Sequence, residues 1–300
     1  MIWQVFAFCR VSWIRFGNGY GFSGGRDLVD LPCVIIQRRR YRSRLMGCHV
    51  YGDAEASRVI VVCLGSSSTA GRGQAFDWIG ELKRRPSNQR VRFYNFGVGG
   101  DLAYNALERL PEVVTCRPDK VVVWIGSNGV LVLVSAKMRR FFRFSKHLPR
   151  EPSPDWFREN IQKIADSLKA ETRASVGLCS LPPIGEDPAS ADPFQTELNL
   201  RFEEYSAIIR DVAEEKNCDY LGIHEAMLAQ IRISPGRALA TFRFLPFYRD
   251  AFRVLVLKKS PDEVARINGW RFHTDGVHLN SRGAMIAAEL VQEFIDRQER

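Results

Sequence analysis

Short apolar, β-branched runs alternate with longer stretches of helical period from residue 58 to the end of this chain. Residues 58–64 (RVIVVCL), 91–96, 120–125 (KVVVWI), 174–181 and 220–223 read as five strands, the first four closed by glycine or proline. Residues 74–85, 101–116, 154–172, 192–216 and 281–298 carry the helical pattern, and Pro86 stops the first of them. The strand at 120–125 is almost wholly apolar, as expected of one covered on both faces. Such alternation predicts an α/β fold: a parallel sheet of about five strands between two helix layers, joined by right-handed crossovers.

Residues 1–57 do not share that pattern. They include a glycine-rich stretch at 17–25 and five arginines within 37–44, neither with a clear period. A poorly ordered basic arm is expected there, followed by one domain over 58–300. Met1 to Phe8 is apolar but lacks a preceding positive region, and Arg10 and Arg15 follow closely, which makes a poor signal peptide. Met46 is a candidate alternative start. Two segments interrupt the alternation of the domain, 131–150 and 230–270, and are read as insertions.

Composition narrows the class. In 300 residues, 45% hydrophobic and 26% charged content is ordinary for a globular protein and excludes wholesale disorder. No uninterrupted apolar run approaches the ~20 residues of a membrane span; the nearest, 121–134, contains Gly126-Ser127-Asn128-Gly129. The excess of 43 basic over 34 acidic residues favours anionic surroundings. Seven cysteines without CxxC spacing argue against a disulfide framework or zinc site and point to a reducing, cytoplasmic compartment. Cys63 and Cys179 fall inside strands and are expected as buried packing residues.

Ligands of open α/β sheets bind beyond the carboxyl ends of the strands. Gly65-Ser66-Ser67-Ser68-Thr69 follows the first strand, Gly97-Val98-Gly99-Gly100-Asp101 the second, and Gly126-Ser127-Asn128-Gly129 the third. Asp275-Gly276-Val277-His278 lies just before the last helix. These segments hold what acyl transfer requires. A serine needs a base, the histidine base needs an acceptor on its other ring nitrogen, and the oxyanion needs converging donors.

In these blocks and their order the chain resembles the SGNH hydrolases, also called GDSL esterases/lipases, over about residues 58–130 and 170–297. The resemblance implies a three-layer α/β/α sandwich and serine-dependent ester hydrolysis through an acyl-enzyme. It further implies Ser67 as nucleophile, His278 as base and Asp275 as its orienting partner. Ser67 N–H, Gly100 N–H and the Asn128 side chain would form the oxyanion hole, with neither metal nor organic cofactor. Ser66 and Gly129 stand where the family carries aspartates, which makes the site less acidic. Activity is expected to fall as pH drops through the histidine range, near ~6.5. The alternatives are an acyltransferase with the same acyl-enzyme and an inactive binding protein that keeps the fold.

Taken singly, each block has a plainer reading. The serine cluster could cap a helix, Asn128 could be a turn residue, and 95–101 could be a dinucleotide turn, though the third glycine is missing. Gly21-Phe22-Ser23-Gly24-Gly25 matches a nucleophile elbow literally but lacks the flanking strand and helix. His49 and His147 read as solvated, and His224 as a core histidine. His273 neighbours the last block without an identifiable partner.

Both insertions mix cations with aromatics. The first has Lys137, Arg139, Arg140, Arg143, Lys146 and Arg150 around Phe141, Phe142 and Phe144; the second has Arg243, Arg249, Arg253, Lys258 and Lys259 around Phe242, Phe244, Phe247, Tyr248 and Phe252. The first should overhang the rim of the site. A cap with inward aromatics and solvated arginines is favoured over a surface for anionic membrane, and nucleic acid is not the expected partner. The expected substrate is a small-molecule or lipid ester.

Overall fold

The structure, a computed structural model, describes residues 58–241 and 244–297. The basic arm, Met46, His49 and the literal elbow at 21–25 lie outside the described residues.

Five strands form one parallel sheet: β1 (Val59–Gly65), β2 (Val91–Gly97), β3 (Lys120–Trp124), β4 (Ser175–Cys179) and β5 (Asp219–Leu221), in the order β2-β1-β3-β4-β5. Every residue of β3 is buried, as its apolar run requires. Cys63 and Cys179 are buried free thiols in β1 and β4.

The chain leaves β1 toward β2, then recrosses β1 to reach β3 and continues outward. Right-handed crossovers in opposite directions put their helices on opposite faces. Helix α1 (Ser67–Ala70) and α2 (Trp78–Arg84) join β1 to β2; α3 (Ala103–Leu107) and α4 (Leu110–Thr115) join β2 to β3. After β3 come α5 (Ser127–Val134), α6 (Ala136–Ser145) and α7 (Pro154–Glu171), and α8 (Pro193–Glu215) joins β4 to β5. The chain ends with α9 (Ile223–Ile233), α10 (Phe244–Leu255), α11 (Pro261–Asn268) and α12 (Ser281–Asp296). Helices α2, α9 and α12 pack in one layer, while α3, α4, α5, α7 and α8 pack in the other. The three-layer α/β/α architecture is therefore as the sequence predicts. No described helix is long and apolar enough to cross a membrane.

Local chemistry explains the helix ends. Helix α7 starts with Pro154 at its first turn and Ser153 as cap, whose hydroxyl accepts from Trp156 N–H. Its Trp156, Phe157, Ile161, Ile164 and Leu168 recur every three or four residues and are buried. Two predicted helices are shorter than their pattern. The helix at 74–85 begins only at Trp78, where Asp77 accepts from Gly80 N–H. The single helix at 101–116 is two, because Pro111 lacks the amide that a continuous helix needs, and Arg109 turns inward at the break.

Both insertions are largely helical. The first forms α5 beyond Leu131, α6 and the turn to Pro154; Met138 and Phe142 are buried and Phe141 half-buried, but Phe144 is exposed. The second departs from expectation. Phe247 faces inward, whereas Leu245, Tyr248, Phe252 and Leu255 on α10 are exposed. The reason lies on the inner face: Asp250 is buried there and paired with Arg253 and Asn268. Residues 245, 248, 252 and 255 fall on the opposite side of the helix.

Candidate active site

The sheet register aligns the three strand ends that carry candidate chemistry, with Gly65 of β1 level with Gly97 of β2 and Trp124 of β3. The order reverses at β1, so the segments after β1 and β3 flank a topological switch point. At Gly97 a Cβ would run into the backbone of Ala70, so only glycine lets the end of β2 close on α1. Val98 N–H donates to Gly65 O at 3.1 Å, which holds the two loops together.

Ser67, at the start of α1, is half-buried and reachable. Its Oγ lies 3.1 Å from His278 Nε2, and His278 Nδ1 lies 2.9 Å from Asp275 Oδ2. The other Asp275 oxygen accepts from Val277 N–H at 3.0 Å and His278 N–H at 2.8 Å. Two backbone donors on Oδ1 favour the ionised carboxylate, and beside an ionised Asp275 the neutral imidazole carries its proton on Nδ1 and turns the Nε2 lone pair to the serine.

The electrostatics agree. Burial by itself would push the Asp275 carboxyl up, but the His278 charge and hydrogen bonds outweigh it and hold the group below its ordinary value of 3.8. Burial would likewise depress His278, yet the Asp275 charge and hydrogen bond outweigh it and raise the imidazole above 6.5. The expected midpoint near ~6.5 therefore moves upward.

Asn128 is buried at the start of α5, and its Nδ2 donates to Asp101 O at 3.0 Å. That bond uses one of the two amide hydrogens and sets the direction of the other. Gly100 has φ of 77°, a conformation suited to glycine, and a Cβ there would lie 3.0 Å from Phe142 Cε1 and 2.9 Å from Lys146 Cε. Ser67 N–H belongs to the first turn of a helix, where amides have no intrahelical acceptor. Gly129, where the family resemblance leads one to expect aspartate, packs against Tyr205; a Cβ would lie 3.1 Å from its ring.

Two buried networks hold these pieces, and strand-end reading missed both. In the first, the Asp101 carboxylate takes Lys146 Nζ at 2.8 Å on one oxygen and Arg109 on the other, Nη2 at 2.8 Å and Nε at 3.0 Å. Lys146 Nζ also donates to Gly99 O at 2.7 Å, and Arg109 reaches Phe96 O at 2.9 Å and Gly65 O at 3.4 Å. The first insertion thus supplies a cation to the loop that carries Gly100.

In the second network, Glu186 receives Phe272 N–H at 2.6 Å, His273 N–H at 2.9 Å and Arg271 N–H at 2.9 Å. It also faces His273 Nδ1 at 3.0 Å, while His273 Nε2 faces Pro183 O at 2.9 Å. The partner missing for His273 is therefore Glu186, 87 residues away in sequence. Burial pushes the Glu186 carboxyl up, but His273 and the backbone amides outweigh it and keep it below the usual value. Gly185 N–H donates to Gly276 O at 2.9 Å, so the segment after β4 braces the loop from Arg271 to His278.

His224 is buried away from this cluster, with Nδ1 2.8 Å from Leu181 O, a core histidine as expected. His147 is exposed. From the second insertion, the Phe247 ring lies 5.9 Å from the His278 ring, and Gln74 Nε2 donates to Phe247 O at 2.9 Å. Both insertions thus reach the site, the second also through Asn268, which donates to Thr274 O at 3.1 Å.

Comparison with known proteins gives one family. Residues 63–241 match the profile of the GDSL-like Lipase/Acylhydrolase family. No match is found among curated protein sequences. Among solved structures, an acetyl xylan esterase is 21% identical, with a TM-score of 0.51 over 79% of this chain and 100% of its own. An acetylxylan esterase from Geobacillus stearothermophilus is 17% identical, with a TM-score of 0.54 over 81% of this chain and 96% of its own. A putative GDSL-like lipase from Parabacteroides merdae is 16% identical, with a TM-score of 0.53 over 80% and 96%. At such identities these three establish likeness of fold.

Proposed function

The chain belongs to the GDSL-like Lipase/Acylhydrolase family, and on that premise we propose that it hydrolyses carboxylic esters through an acyl-enzyme on Ser67. The observation that carries the proposal is the linear arrangement Ser67 Oγ, His278, Asp275, with contacts of 3.1 and 2.9 Å.

Ser67 Oγ attacks the carbonyl carbon while His278 Nε2 takes its proton. Asp275 stabilises the imidazolium as it forms, consistent with the raised His278 and lowered Asp275 values. The oxyanion receives Ser67 N–H, Gly100 N–H and the free hydrogen of Asn128 Nδ2. Collapse breaks the carbon–oxygen bond, and the leaving alkoxide takes the proton from His278. Water then attacks the acyl-enzyme, His278 takes its proton, and Ser67 regains one as the carboxylic acid departs.

The Phe247 ring, 5.9 Å from the imidazole, sets an apolar side chain beside the base. The acetylxylan esterases of similar fold support a short acyl group as the first to try.

The test is hydrolysis of a nitrophenyl ester series, acetyl to palmitoyl, by the wild type and by Ser67→Ala. Turnover that disappears in the variant is expected; equal turnover in both proteins would overturn the assignment. Intact-mass detection of acyl-Ser67 after rapid quench tests the intermediate itself.

A further inference from the structure

Helix α10 carries its apolar side chains on the wrong face for a simple cap. Leu245 is 80% exposed, Phe252 46% and Leu255 59%, and Val256 and Leu257 continue the exposed patch past the helix end. Globular proteins seldom leave a contiguous apolar stripe in water without a use for it. The inner side of the same helix is committed through Phe247 to His278 and Gln74, and through Asp250 to Asn268. The stripe therefore cannot turn inward without breaking those bonds.

We infer that the outward stripe of α10, together with the cationic face of α6, is a docking surface for an anionic lipid bilayer at the rim of the active site. Charge decides the occupant. Between residues 136 and 150 the chain has six cations and no carboxylate. Four of the six are engaged: Lys146 holds Asp101, Arg143 and Arg150 pair with Glu151 and Glu159, and Arg139 donates to carbonyls of α5. Lys137 and Arg140 stand exposed on α6, and Lys258 is exposed beside the α10 stripe. Burying the stripe against a second copy would bring Lys258 toward its own counterpart, a like-charge contact, whereas anionic headgroups neutralise it. A nucleic-acid platform would need stacked rings, but the patch is mostly aliphatic, which suits acyl chains.

Both helices touch the site from opposite components. Helix α6 lies on Gly100 through Phe142, and Lys146 follows from its C-terminus, while α10 lies on His278 through Phe247. Binding itself needs no turnover, so it is measured on the full-length Ser67→Ala chain and is separable from the ester chemistry.

The experiment is co-sedimentation with extruded vesicles, either phosphatidylcholine alone or an equal mixture with phosphatidylglycerol. Binding to the anionic vesicles should exceed binding to the neutral ones by about tenfold or more. Adding Leu245→Asp and Phe252→Asp should weaken it by about tenfold or more, because a carboxylate cannot enter the acyl layer. Lys137→Glu with Arg140→Glu should weaken only the anionic component, as should raising the salt. Thermal unfolding confirms that each variant is folded. Absence of binding to either vesicle, or undiminished binding by the aspartate pair, would overturn the inference. So would a dimer that the aspartate pair dissolves while vesicles leave the protein in solution, since the stripe would then be a contact between copies.

Discussion

The two insertions have nearly the same ingredients and opposite fates. Residues 137–150 and 244–259 both mix basic and aromatic side chains, yet α6 turns Met138 and Phe142 inward while α10 leaves Leu245, Phe252 and Leu255 in solvent. What differs is the polar residue at the contact. In the first insertion Lys146 finds a buried carboxylate, Asp101, and apolar neighbours follow it in. In the second, Asp250 is itself the buried group, so its face of the helix belongs to a polar network and the apolar face is left outside. A buried charge, once paired, orients the whole helix that carries it.

That contrast can be broken by experiment. If the inward faces of α6 and α10 belong to the site and their outward faces to a surface, turnover and binding should separate. The largest effect is expected of Ser67→Ala, about 10⁴-fold or more in kcat on any ester, with vesicle binding intact. Asn128→Ala should follow, at roughly 10²- to 10³-fold in kcat; an unchanged rate would remove Asn128 from the oxyanion hole.

The pH dependence comes next. His278 must be neutral to act as base, so kcat/KM should fall about tenfold per pH unit below a midpoint that lies above 6.5. A flat profile into acid would exclude His278. Stability has the opposite sense for the two partners. The raised His278 value adds stability below 6.5 that is lost as pH rises through it; the lowered Asp275 value adds stability above 3.8 that is lost as pH falls. The pair is thus most stabilising between those limits, and Asp275→Asn should lower the unfolding free energy across that window and remove the fall on either side of it.

Lys146→Met sharpens the comparison between insertions. It should cost about 1.5–3 kcal/mol in stability, the scale of a hydrogen bond to a charged group, and it should lower kcat by loosening Gly99–Asp101. Lys146→Arg should restore part of both. Leu245→Ser, at the exposed stripe, should change stability by no more than about 0.5 kcal/mol and leave small-ester turnover untouched. A large loss there would mean that the stripe packs after all.

Much of the fold is legible because it rests on local pattern. The strands at 59–65, 91–97 and 120–124 follow from β-branched runs ended by glycine or a polar turn, and the strand-end rule singles out the segments 65–69, 97–101 and 126–129, within which the family resemblance points to Ser67, Gly100 and Asn128. Asp275 and His278 are close in sequence, so their contact is also readable. Arg109, Lys146 and Glu186, the partner of His273, are not. Each is an ordinary charged residue whose meaning depends on a neighbour 8 to 87 residues away. Of these, only Glu186 follows a strand end, beyond β4, where the strand-end rule could have found it.

Periodicity, strand-end glycines and the order of four short blocks determined the α/β architecture and the residues that could do acyl chemistry, because these depend on contacts within a few residues. Which face of each insertion looks inward, and what steadies the loops of the site, only the tertiary structure decided. Burial of a charge is settled by distant partners, and one buried carboxylate, Asp250, outweighs the preference of a whole apolar stripe.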